Sequence, residues 1–485
     1  MTQVVGASDL LQHDLFIGGQ WRPSSDGSRR PVTNPVSGAV LVEVATATQG
    51  DVRDAIAAAR DAFPSWSAMT ALQRASILRR WFTLIVERVD DLAEILTLEQ
   101  GKPLAEARGE IIYGAGFIEW YAEEGKRLYG ETIPTNVASR RLMTIRQPIG
   151  VTAAITPWNF PMAMIARKAG PALAAGCPMI IKPAGETPLS ALALAKLAEE
   201  AGVPAGVLQI LVGDPRMIAA ELTSSPIVRA LSFTGSTEVG KSLMAACAGT
   251  VKKVAMELGG NAPVIVFDDA DIEVAVAGTI ASKFRNSGQT CVCANRILVQ
   301  SGIHDEFVAA LSAAVYKLKV GDGLDHDTTQ GPLINQAAVE KVEQHIADAV
   351  SKGAVVAVGG SRHAMGGTFF EPTVLVNATT DMIIADEETF GPVAPIFRFE
   401  TEEEAIRLSN DTPFGLAAYF FTRDLSRSWR VSERLEAGVV GVNTGLISYE
   451  GAPFGGVKES GVGREGSMHG IDEFLEMKYI CIDGI

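Results

Sequence analysis

Cysteine and histidine are scarce in this chain, which has five cysteines and six histidines among 485 residues. An odd number of cysteines without regular spacing is not typical of a secreted disulfide framework, so we expect free thiols in a reducing compartment, the cytoplasm. The chain also lacks an HExxH sequence, two CxxC motifs and an EF-hand loop. We therefore predict no metal site.

Basic residues are outnumbered by acidic ones, and the formal net charge is −15. This deficit argues against a nucleic-acid-binding surface, which requires clustered lysine and arginine. Long apolar runs are missing as well, because the longest uncharged stretch, Gln147–Ala166, is interrupted by three prolines. We therefore predict no membrane span. Met1–Leu10 has no basic region followed by an apolar segment, and we expect no signal peptide.

The composition that remains is that of a globular protein, with 47% hydrophobic and 20% charged residues. Apolar residues at three- and four-residue steps predict helices over 51–66 and 72–98. Short apolar runs alternate with helical patterns from Val151 to Cys247, and the alternation restarts after Glu257, with one helix over 272–286. Such alternation predicts two α/β domains with parallel sheets. The glycine-rich segment 451–470 is expected to form a long loop, ordered or mobile.

Two segments follow predicted strands and contain polar residues that suit a ligand. Phe233–Gly240, with the sequence FTGSTEVG, lies at a strand-to-helix turn. The free N–H groups of a helix start can bind a phosphate, although the same pattern also makes an ordinary capped turn. Thr156–Pro161 holds Asn159 between two prolines. An amide fixed in this way can donate to an oxyanion, or the segment is a structural loop.

Two further segments contain a nucleophile and a base. Cys291 lies in Ser287–Cys293, after a helical pattern and a glycine. A thiol in a cleft can act as a nucleophile once it is deprotonated, whereas many single cysteines are only buried small residues. Glu257 precedes Gly259 and Gly260, where the backbone allows a substrate to approach. Its carboxylate is a candidate general base or a surface residue beside a turn.

Six segments in this order resemble the NAD(P)-dependent aldehyde dehydrogenase superfamily. The likeness runs from about Phe16 to the C-terminus, and within the superfamily it is nearest to succinate-semialdehyde dehydrogenases. The segments are Thr156–Pro161, Ile181–Ala184, Phe233–Gly240, Glu257–Gly260, Gly288–Cys291 and Glu388–Pro392. The nearer likeness is carried by Arg167–Cys177, Phe284–Arg296 and Pro453–Gly461.

The resemblance implies a role for each matching residue. Cys291 matches the nucleophile, Glu257 the general base, and Asn159 an oxyanion donor together with the Cys291 backbone N–H. Cofactor-binding positions are implied for Ile155, Thr156, Pro157, Trp158, Lys182, Ala184, Gly185, Glu186, Gly213, Phe233, Thr234, Gly235, Ser236, Val239, Leu258, Glu388 and Phe390.

The resemblance also implies an architecture. We expect two doubly wound α/β domains, a Rossmann-like cofactor-binding domain (1–125 and 147–257) and a catalytic domain (258–469). A small β oligomerisation arm (126–146 and 470–485) completes the chain, and a homotetramer, a dimer of dimers, is implied.

The substrate prediction depends on Arg167, Arg285 and Ser448. The two arginines belong to segments that lead to and from the catalytic motifs, and guanidinium groups suit a carboxylate. We therefore predict an anionic-tailed semialdehyde, with succinate semialdehyde as the best candidate. Glutarate semialdehyde and a short sulfonated aldehyde such as sulfolactaldehyde are the alternatives, and internal ion pairing of the arginines is left open. Coenzyme-A-acylating oxidation and a non-catalytic structural role are more remote.

Two predictions concern cofactor choice and regulation. In NAD-preferring relatives a glutamate three residues after the ribose-binding lysine contacts the adenosine 2′-hydroxyl, but Gly185 stands there, followed by Glu186. Glycine leaves room for a 2′-phosphate, so NADP is expected to be accepted, with NAD also usable. Cys291 and Cys293 resemble a pair that forms a reversible inhibitory disulfide in some relatives, and packing of Cys293 as a small residue is the alternative.

Overall fold

The computed structural model describes residues 9–484, which fold into an α/β structure with two large sheets. The helices are α1 (Gln49–Ala68), α2 (Ala71–Glu87), α3 (Val89–Gln100), α4 (Leu104–Glu124), α5 (Ala163–Ala175), α6 (Leu189–Ala201), α7 (Pro215–Ser224), α8 (Thr237–Ala248), α9 (Ile272–Lys283), α10 (His304–Val315), α11 (Gln336–Ser351), α12 (Ile383–Asp386), α13 (Glu402–Asn410) and α14 (Leu425–Arg434). The strands are β1 (Leu15–Ile17), β2 (Gln20–Arg22), β3 (Arg29–Thr33), β4 (Val40–Ala45), β5 (Thr132–Ile133), β6 (Arg140–Pro148), β7 (Val151–Ile155), β8 (Met179–Lys182), β9 (Leu208–Ile210), β10 (Val228–Thr234), β11 (Lys253–Glu257), β12 (Ala262–Val266), β13 (Ala294–Gln300), β14 (Val355–Val358), β15 (Thr373–Val376), β16 (Val393–Phe399), β17 (Ala417–Phe421), β18 (Val439–Val442), β19 (Gly461–Val462) and β20 (Leu475–Asp483).

The first large sheet has the strand order β19-β11-β10-β7-β8-β9-β1-β2. Strands β7 to β11 are parallel, while β1 and β19 run antiparallel to their neighbours. Strands β7 and β8 are buried at every residue, which explains their continuous apolar sequence. The chain leaves β7 first toward β8 and later returns on the other side at β10. This reversal creates a crevice at the carboxyl ends of β7 and β10.

The second large sheet has the order β14-β15-β16-β13-β12-β17-β18 and is parallel except for β14. Glu257 ends β11 and Ala262 begins β12. The carboxyl edge of the first sheet is therefore connected by four residues to the amino edge of the second, and these edges bound the site described below. A third sheet, β20-β6-β5, is small and antiparallel. The predicted fold class is confirmed, whereas the division into functional domains stays a prediction.

Two predicted helices are wrong in their extent. The helix expected over 72–98 is two helices, α2 and α3, which meet at Arg88 with φ −108° and ψ 23°. The apolar period continues through the break and gives no sign of it. The helix expected over 272–286 ends at Lys283. Beyond it, Asn286 and Ser287 have φ of 51° and 54°, a left-handed backbone that no helix contains.

Two other segments complete the comparison. The glycine-rich segment 451–470 is ordered, because Phe454 and Glu465 form a β-bridge and β19 pairs with β11. The helix α4 was not predicted, and it proves to line the site. Its residues are apolar on most sides, so its sequence has little of the one-sided pattern from which a helix is recognised.

Candidate active site

The crevice contains two cavities with Cys291 in the wall of both. The Trp158 cavity, of about 270 Å³, is lined by Pro157, Trp158, Asn159, Phe160, Met164, Thr234, Gly235, Ser236, Leu258, Gly259, Cys291, Lys341, Glu388 and Phe390. The Arg285 cavity, of about 320 Å³, is lined by Glu106, Gly109, Glu110, Tyr113, Phe160, Met164, Arg167, Arg285, Thr290, Cys291, Val292, Leu446, Ser448 and Phe454. A thiol between two cavities can meet a different molecule on each side.

Cys291 is a free, partly buried thiol in the turn that precedes β13. The backbone approaches it closely, since a Cβ added to Gly260 would lie 2.5 Å from the Cys291 carbonyl oxygen. Burial raises the pKa of the Cys291 thiol to about 12, and the negative charge of Glu388 acts in the same direction. A bound cation or a base would therefore be needed to make the thiolate available.

Asn159 is held by a buried hydrogen-bond network at the end of β7. The side-chain Nδ2 of Asn159 donates to the backbone carbonyl of Gln289 at 3.0 Å. The backbone carbonyl of Asn159 accepts from Asn286 Nδ2 at 3.1 Å and from Lys102 Nζ at 2.7 Å. Lys102 in turn forms a fully buried ion pair with Glu110 at 2.6 Å. Because an amide nitrogen carries two N–H groups, Asn159 keeps one donor for a ligand in the Trp158 cavity.

Glu257 lies at the end of β11 and lines neither cavity; its side chain is 4% exposed. Burial raises the pKa of Glu257 well above its usual value, and the charge of Glu465 adds to the effect. Oxygen Oε2 of Glu257 has no hydrogen-bond partner among the described residues. The negative charge of Glu257 also raises the pKa of the Cys291 thiol.

Arg167, on α5, forms the internal ion pair that the sequence left open. Its Nη2 lies 2.7 Å from Glu465 Oε2, and Lys168 also pairs with Glu465. The Arg167–Glu465 contact is poorly aligned, so Arg167 Nε and Nη2 and Glu465 Oε2 make no hydrogen bond within residues 9–484. Arg167 stacks on Phe454, with the guanidinium carbon 4.1 Å from the ring centre. The arginine is thus charge-compensated by Glu465, although it lines the cavity.

Arg285 lies in the turn after α9 rather than on the helix, and it forms no ion pair with the described residues. The guanidinium carbon is 5.3 Å from the centre of the Phe160 ring. Ser448 lines the same cavity, as does Tyr113, whose buried hydroxyl has no hydrogen-bond partner in the described chain. The predicted residues Arg167, Arg285 and Ser448 are therefore brought together around one cavity.

The Trp158 cavity has the features that a dinucleotide with ribose hydroxyls requires. The rings of Trp158 and Phe390 meet edge to face at 5.6 Å, and Ser236 caps the start of α8 by accepting from the Val239 N–H at 3.4 Å. Within residues 9–484, the Glu388 carboxylate accepts one hydrogen bond, from the Gly260 N–H at 3.3 Å, so it has further acceptor capacity. Burial raises the pKa of Glu388 to about 7. These residues fit the cofactor that the sequence implies.

The remaining predicted cofactor residues do not line this cavity. Lys182 ends β8, the strand next to β7, and Ala184, Gly185 and Glu186 follow it. Gly213 follows β9, with φ of 159°. Ile155, Thr156, Phe233 and Val239 flank the cavity residues in sequence without lining the cavity.

Three comparisons with known proteins fit this geometry. A model of the aldehyde dehydrogenase family matches residues 21–480. The chain belongs to the aldehyde dehydrogenase family. It is similar to the succinate-semialdehyde dehydrogenase (NADP+) of Escherichia coli K12, with 60% identity and 98% of both chains covered. It is also similar to the glutarate-semialdehyde dehydrogenase of Pseudomonas aeruginosa, with 59% identity over 98% of this chain and 99% of the relative.

Among solved structures, the model is similar to the succinate-semialdehyde dehydrogenase from Burkholderia pseudomallei. The TM-score is 0.98 and the identity 60%, and 99% of each chain is covered. The resemblance stated from the sequence is thereby confirmed.

Several residues of this aldehyde dehydrogenase site were not predicted. Helix α4 contributes four residues to the wall of the Arg285 cavity, and Lys341 on α11 lies in the wall of the Trp158 cavity, where its Nζ donates to the Glu388 backbone carbonyl at 2.6 Å. No sequence pattern set Glu106, Glu110 and Tyr113 apart, because α4 also contains Arg108, Glu119, Glu123 and Glu124. Glu465 gave no signal, because it lies in a glycine-rich loop.

Within residues 9–484, no cluster of His, Cys, Asp and Glu has the arrangement of a metal site. The helices in the same range are too short or too polar to cross a bilayer.

Proposed function

We propose that this protein oxidises an aldehyde with an anionic tail to the carboxylic acid, using NADP or NAD, and that succinate semialdehyde is its substrate. The observation that carries the proposal is the Arg285 cavity, which has the thiol of Cys291 in one wall and Arg285, Arg167 and Ser448 in the others. The names of the two relatives support the same class of substrate.

The first chemical step uses Cys291 and Asn159. The Cys291 thiolate attacks the aldehyde carbon, and the oxygen gains negative charge as the carbon becomes tetrahedral. The free N–H of Asn159 and the Cys291 backbone N–H are the donors for that oxygen. Removing one such donor in comparable enzymes costs roughly 3–4 kcal/mol of activation free energy. Glu388 and Phe390, in the wall of the Trp158 cavity, are residues that would hold an oxidised nicotinamide cofactor, which would supply the acceptor for the hydride that leaves this carbon.

The second step releases the product from Cys291. The thioester carbonyl is attacked by a water molecule, Glu257 accepts the proton of that water, and the sulfur leaves as a thiolate. A raised pKa makes the ionised Glu257 a stronger base, although a smaller fraction is ionised at neutral pH. Glu257 must approach the thioester for this role, because its side chain lines neither cavity.

Charged side chains of the Arg285 cavity recognise the anionic tail of the substrate. Arg285 forms no internal ion pair in the described chain, whereas the charge of Arg167, in the wall of the same cavity, is compensated by Glu465. A carboxylate in this cavity would gain charge-assisted hydrogen bonds from Arg285. The longer glutarate semialdehyde is the second candidate, favoured by the similarity to an enzyme of that name.

The test compares the semialdehydes of four and five carbons with butanal and with a short sulfonated aldehyde. We expect kcat/KM for the anionic aldehydes to exceed that for butanal by more than 100-fold, since a desolvated charge contact is worth about 2–5 kcal/mol. Arg285→Gln should lower kcat/KM for the anionic aldehydes and leave butanal unchanged. Equal losses on both kinds of aldehyde would contradict a tail-reading role.

Product analysis separates the remaining alternatives. Formation of the free acid without coenzyme A supports hydrolysis, whereas strict dependence on coenzyme A would support acylation. The absence of cofactor reduction with every aldehyde would favour a structural role.

We infer that the Cys291–Cys293 pair is a redox switch. Only Val292 separates the two thiols, and Cys293 is nearly buried. Peroxide should oxidise one thiol to a sulfenic acid, which the other attacks with loss of water to form a disulfide. Peroxide should therefore inactivate the protein and a dithiol should restore it. Full inactivation and full rescue of Cys293→Ala would show that the pair is not the switch.

We also propose the domain division given by the sequence, a cytoplasmic location and a homotetramer. The strands of the first sheet up to β11 lie within 1–257, and those of the second sheet lie within 258–469. The five cysteines are free thiols, as suits a reducing compartment. The small sheet exposes the strand β20, which suits pairing with a second copy.

A further inference from the structure

Arg30 lies outside both cavities, on the hairpin formed by β3 and β4. A Cβ added to Gly185 would lie 2.2 Å from Arg30 Nη1 and 2.7 Å from Arg30 Cζ. The guanidinium therefore covers Gly185 directly. No other residue type fits at position 185 unless Arg30 moves, so Gly185 and Arg30 form one surface.

The hairpin is fixed along the carboxyl edge of the first sheet. Just beyond β4, the Ala47 N–H donates to the Val212 carbonyl at 2.7 Å, next to Gly213. Lys182 ends β8, three residues before Gly185. Lys182 and the Gly185 that Arg30 covers thus lie at and just after the end of the second strand of the first βαβ unit, which is the position next to the adenosine ribose in doubly wound dinucleotide sites.

Two cations, Arg30 and Lys182, stand beside Gly185, and Glu186 and Asp214 are the acidic neighbours whose charges act on Lys182. Arg30 makes no ion pair or side-chain hydrogen bond with residues 9–484, although arginine offers five donors in a planar fork. Lys182 is 5% exposed, and burial lowers its pKa; the charge of Glu186 opposes this effect and that of Arg30 adds to it. Glu186 is exposed and pairs with neither cation. The two cations can attract a ligand group that carries two negative charges, and Gly185 has no side chain to block its approach.

We propose that Arg30 binds the 2′-phosphate of NADP, together with Lys182, and thereby determines cofactor preference. This inference rests on the proposed function and assigns the 2′ contact to a residue from the N-terminal hairpin. A guanidinium matches two phosphate oxygens with parallel N–H groups, whereas a lone ribose hydroxyl gains little from it.

The experiment measures dissociation constants by quenching of tryptophan fluorescence for NADP and NAD, and by calorimetry for 2′,5′-ADP and 5′-AMP. Arg30→Gln should weaken NADP and 2′,5′-ADP about 20-fold, as expected for one lost charge-assisted contact. NAD and 5′-AMP should change less than twofold. Arg30→Lys, which keeps the charge but loses the fork, should fall between the two.

Arg29→Gln is the matched control. Arg29 is the neighbouring residue on β3, and its Nη2 bonds Asp14 at 2.5 Å rather than facing Gly185. We expect this variant to bind all four ligands like the wild type, and thermal unfolding checks that the hairpin of each variant remains folded. Equal binding of NADP and 2′,5′-ADP by Arg30→Gln and wild type would overturn the proposal. Failure of wild type to bind either dinucleotide would instead contradict the proposed function.

Discussion

At the scale of single residues, the site contains buried polar atoms without partners. Tyr113 Oη and Arg167 Nε lack hydrogen bonds in the described chain, and both residues line the Arg285 cavity. Leaving such groups unsatisfied costs roughly 1–3 kcal/mol each. A molecule that satisfies them gains that free energy, which explains why a site for an anion carries them.

Tyr113→Phe removes one of these donors without changing the shape of the cavity. We expect KM for succinate semialdehyde to rise about tenfold, because a hydrogen bond to a carboxylate is worth about 1.5–3 kcal/mol. The KM for butanal should not change. Steady-state kinetics measures both, with Tyr316→Phe as a control, since Tyr316 is 83% exposed. An equal rise for both aldehydes would show that Tyr113 shapes the cavity and does not contact the tail.

Glu257→Gln tests the second chemical step and its pH dependence. The pKa of Glu257 is raised well above the ordinary value of 4.5. At any pH below that raised pKa the carboxyl is mostly protonated and cannot accept a proton from water. Hydrolysis should therefore slow as the pH falls through that pKa. In the variant, a burst of reduced cofactor followed by slow turnover is expected, with this pH dependence lost. Stopped-flow absorbance would measure both phases, and an unchanged steady-state rate would exclude Glu257 as the base.

At the scale of elements, the turn between α9 and β13 holds the nucleophile. Asn286, Ser287 and Gly288 are consecutive residues with φ of 51°, 54° and 77°. This left-handed run is held from outside, since the Asn286 N–H donates to Glu106 Oε2 at 2.8 Å and Ser287 Oγ to the Gly331 carbonyl at 2.8 Å. Strain of this kind persists only where the surroundings enforce it, and here α4 and the loop before α11 do so.

Gly288→Ala should destabilise this turn. The added Cβ would lie 2.1 Å from the Gly391 carbonyl oxygen, a clash with backbone, in addition to the strain of φ 77°. We expect a loss of about 3 kcal/mol in the free energy of unfolding and of most activity. Gly353→Ala is the control, because φ is 104° there but the Cβ would meet nothing within 4 Å. Equal losses in urea unfolding for the two variants would mean that the Gly391 contact has no effect.

At the scale of the whole molecule, the small sheet β20-β6-β5 has an exposed edge strand, β20. Strand β20 pairs with β6 over nine residues and has no partner on its other edge within residues 9–484. Met477 and Tyr479 are 62% and 57% exposed on this strand. A long edge with exposed apolar side chains favours pairing with another copy of the chain.

Met477→Glu combined with Tyr479→Asp should weaken that pairing. Carboxylates brought together in an interface repel each other and must be desolvated, so light scattering should give a smaller mass than for wild type. Leu425→Asp, on the exposed start of α14, should leave the mass unchanged. A monomeric wild-type protein would contradict the proposed homotetramer.

The sequence by itself determined the fold class and the candidate residues of the crevice. Strand and helix periods report which residues are buried, and motifs such as Thr156–Pro161 and Phe233–Gly240 stand where strands end. Cys291 and Asn159, which the resemblance implied, line one cavity, and Arg167, Arg285 and Ser448 line the other, while their roles stay predictions. Helix ends were less predictable, since the break at Arg88 and the end of α9 at Lys283 interrupt no apolar pattern.

Only the tertiary structure decided which charges meet. Glu465 pairs with Arg167 and Lys168, Glu106 holds the turn before Cys291, and Arg30 covers Gly185. Each of these contacts joins segments far apart in the chain. A local pattern describes the face that a residue presents but carries no information about its distant partner, so these contacts follow only from the packing of the elements.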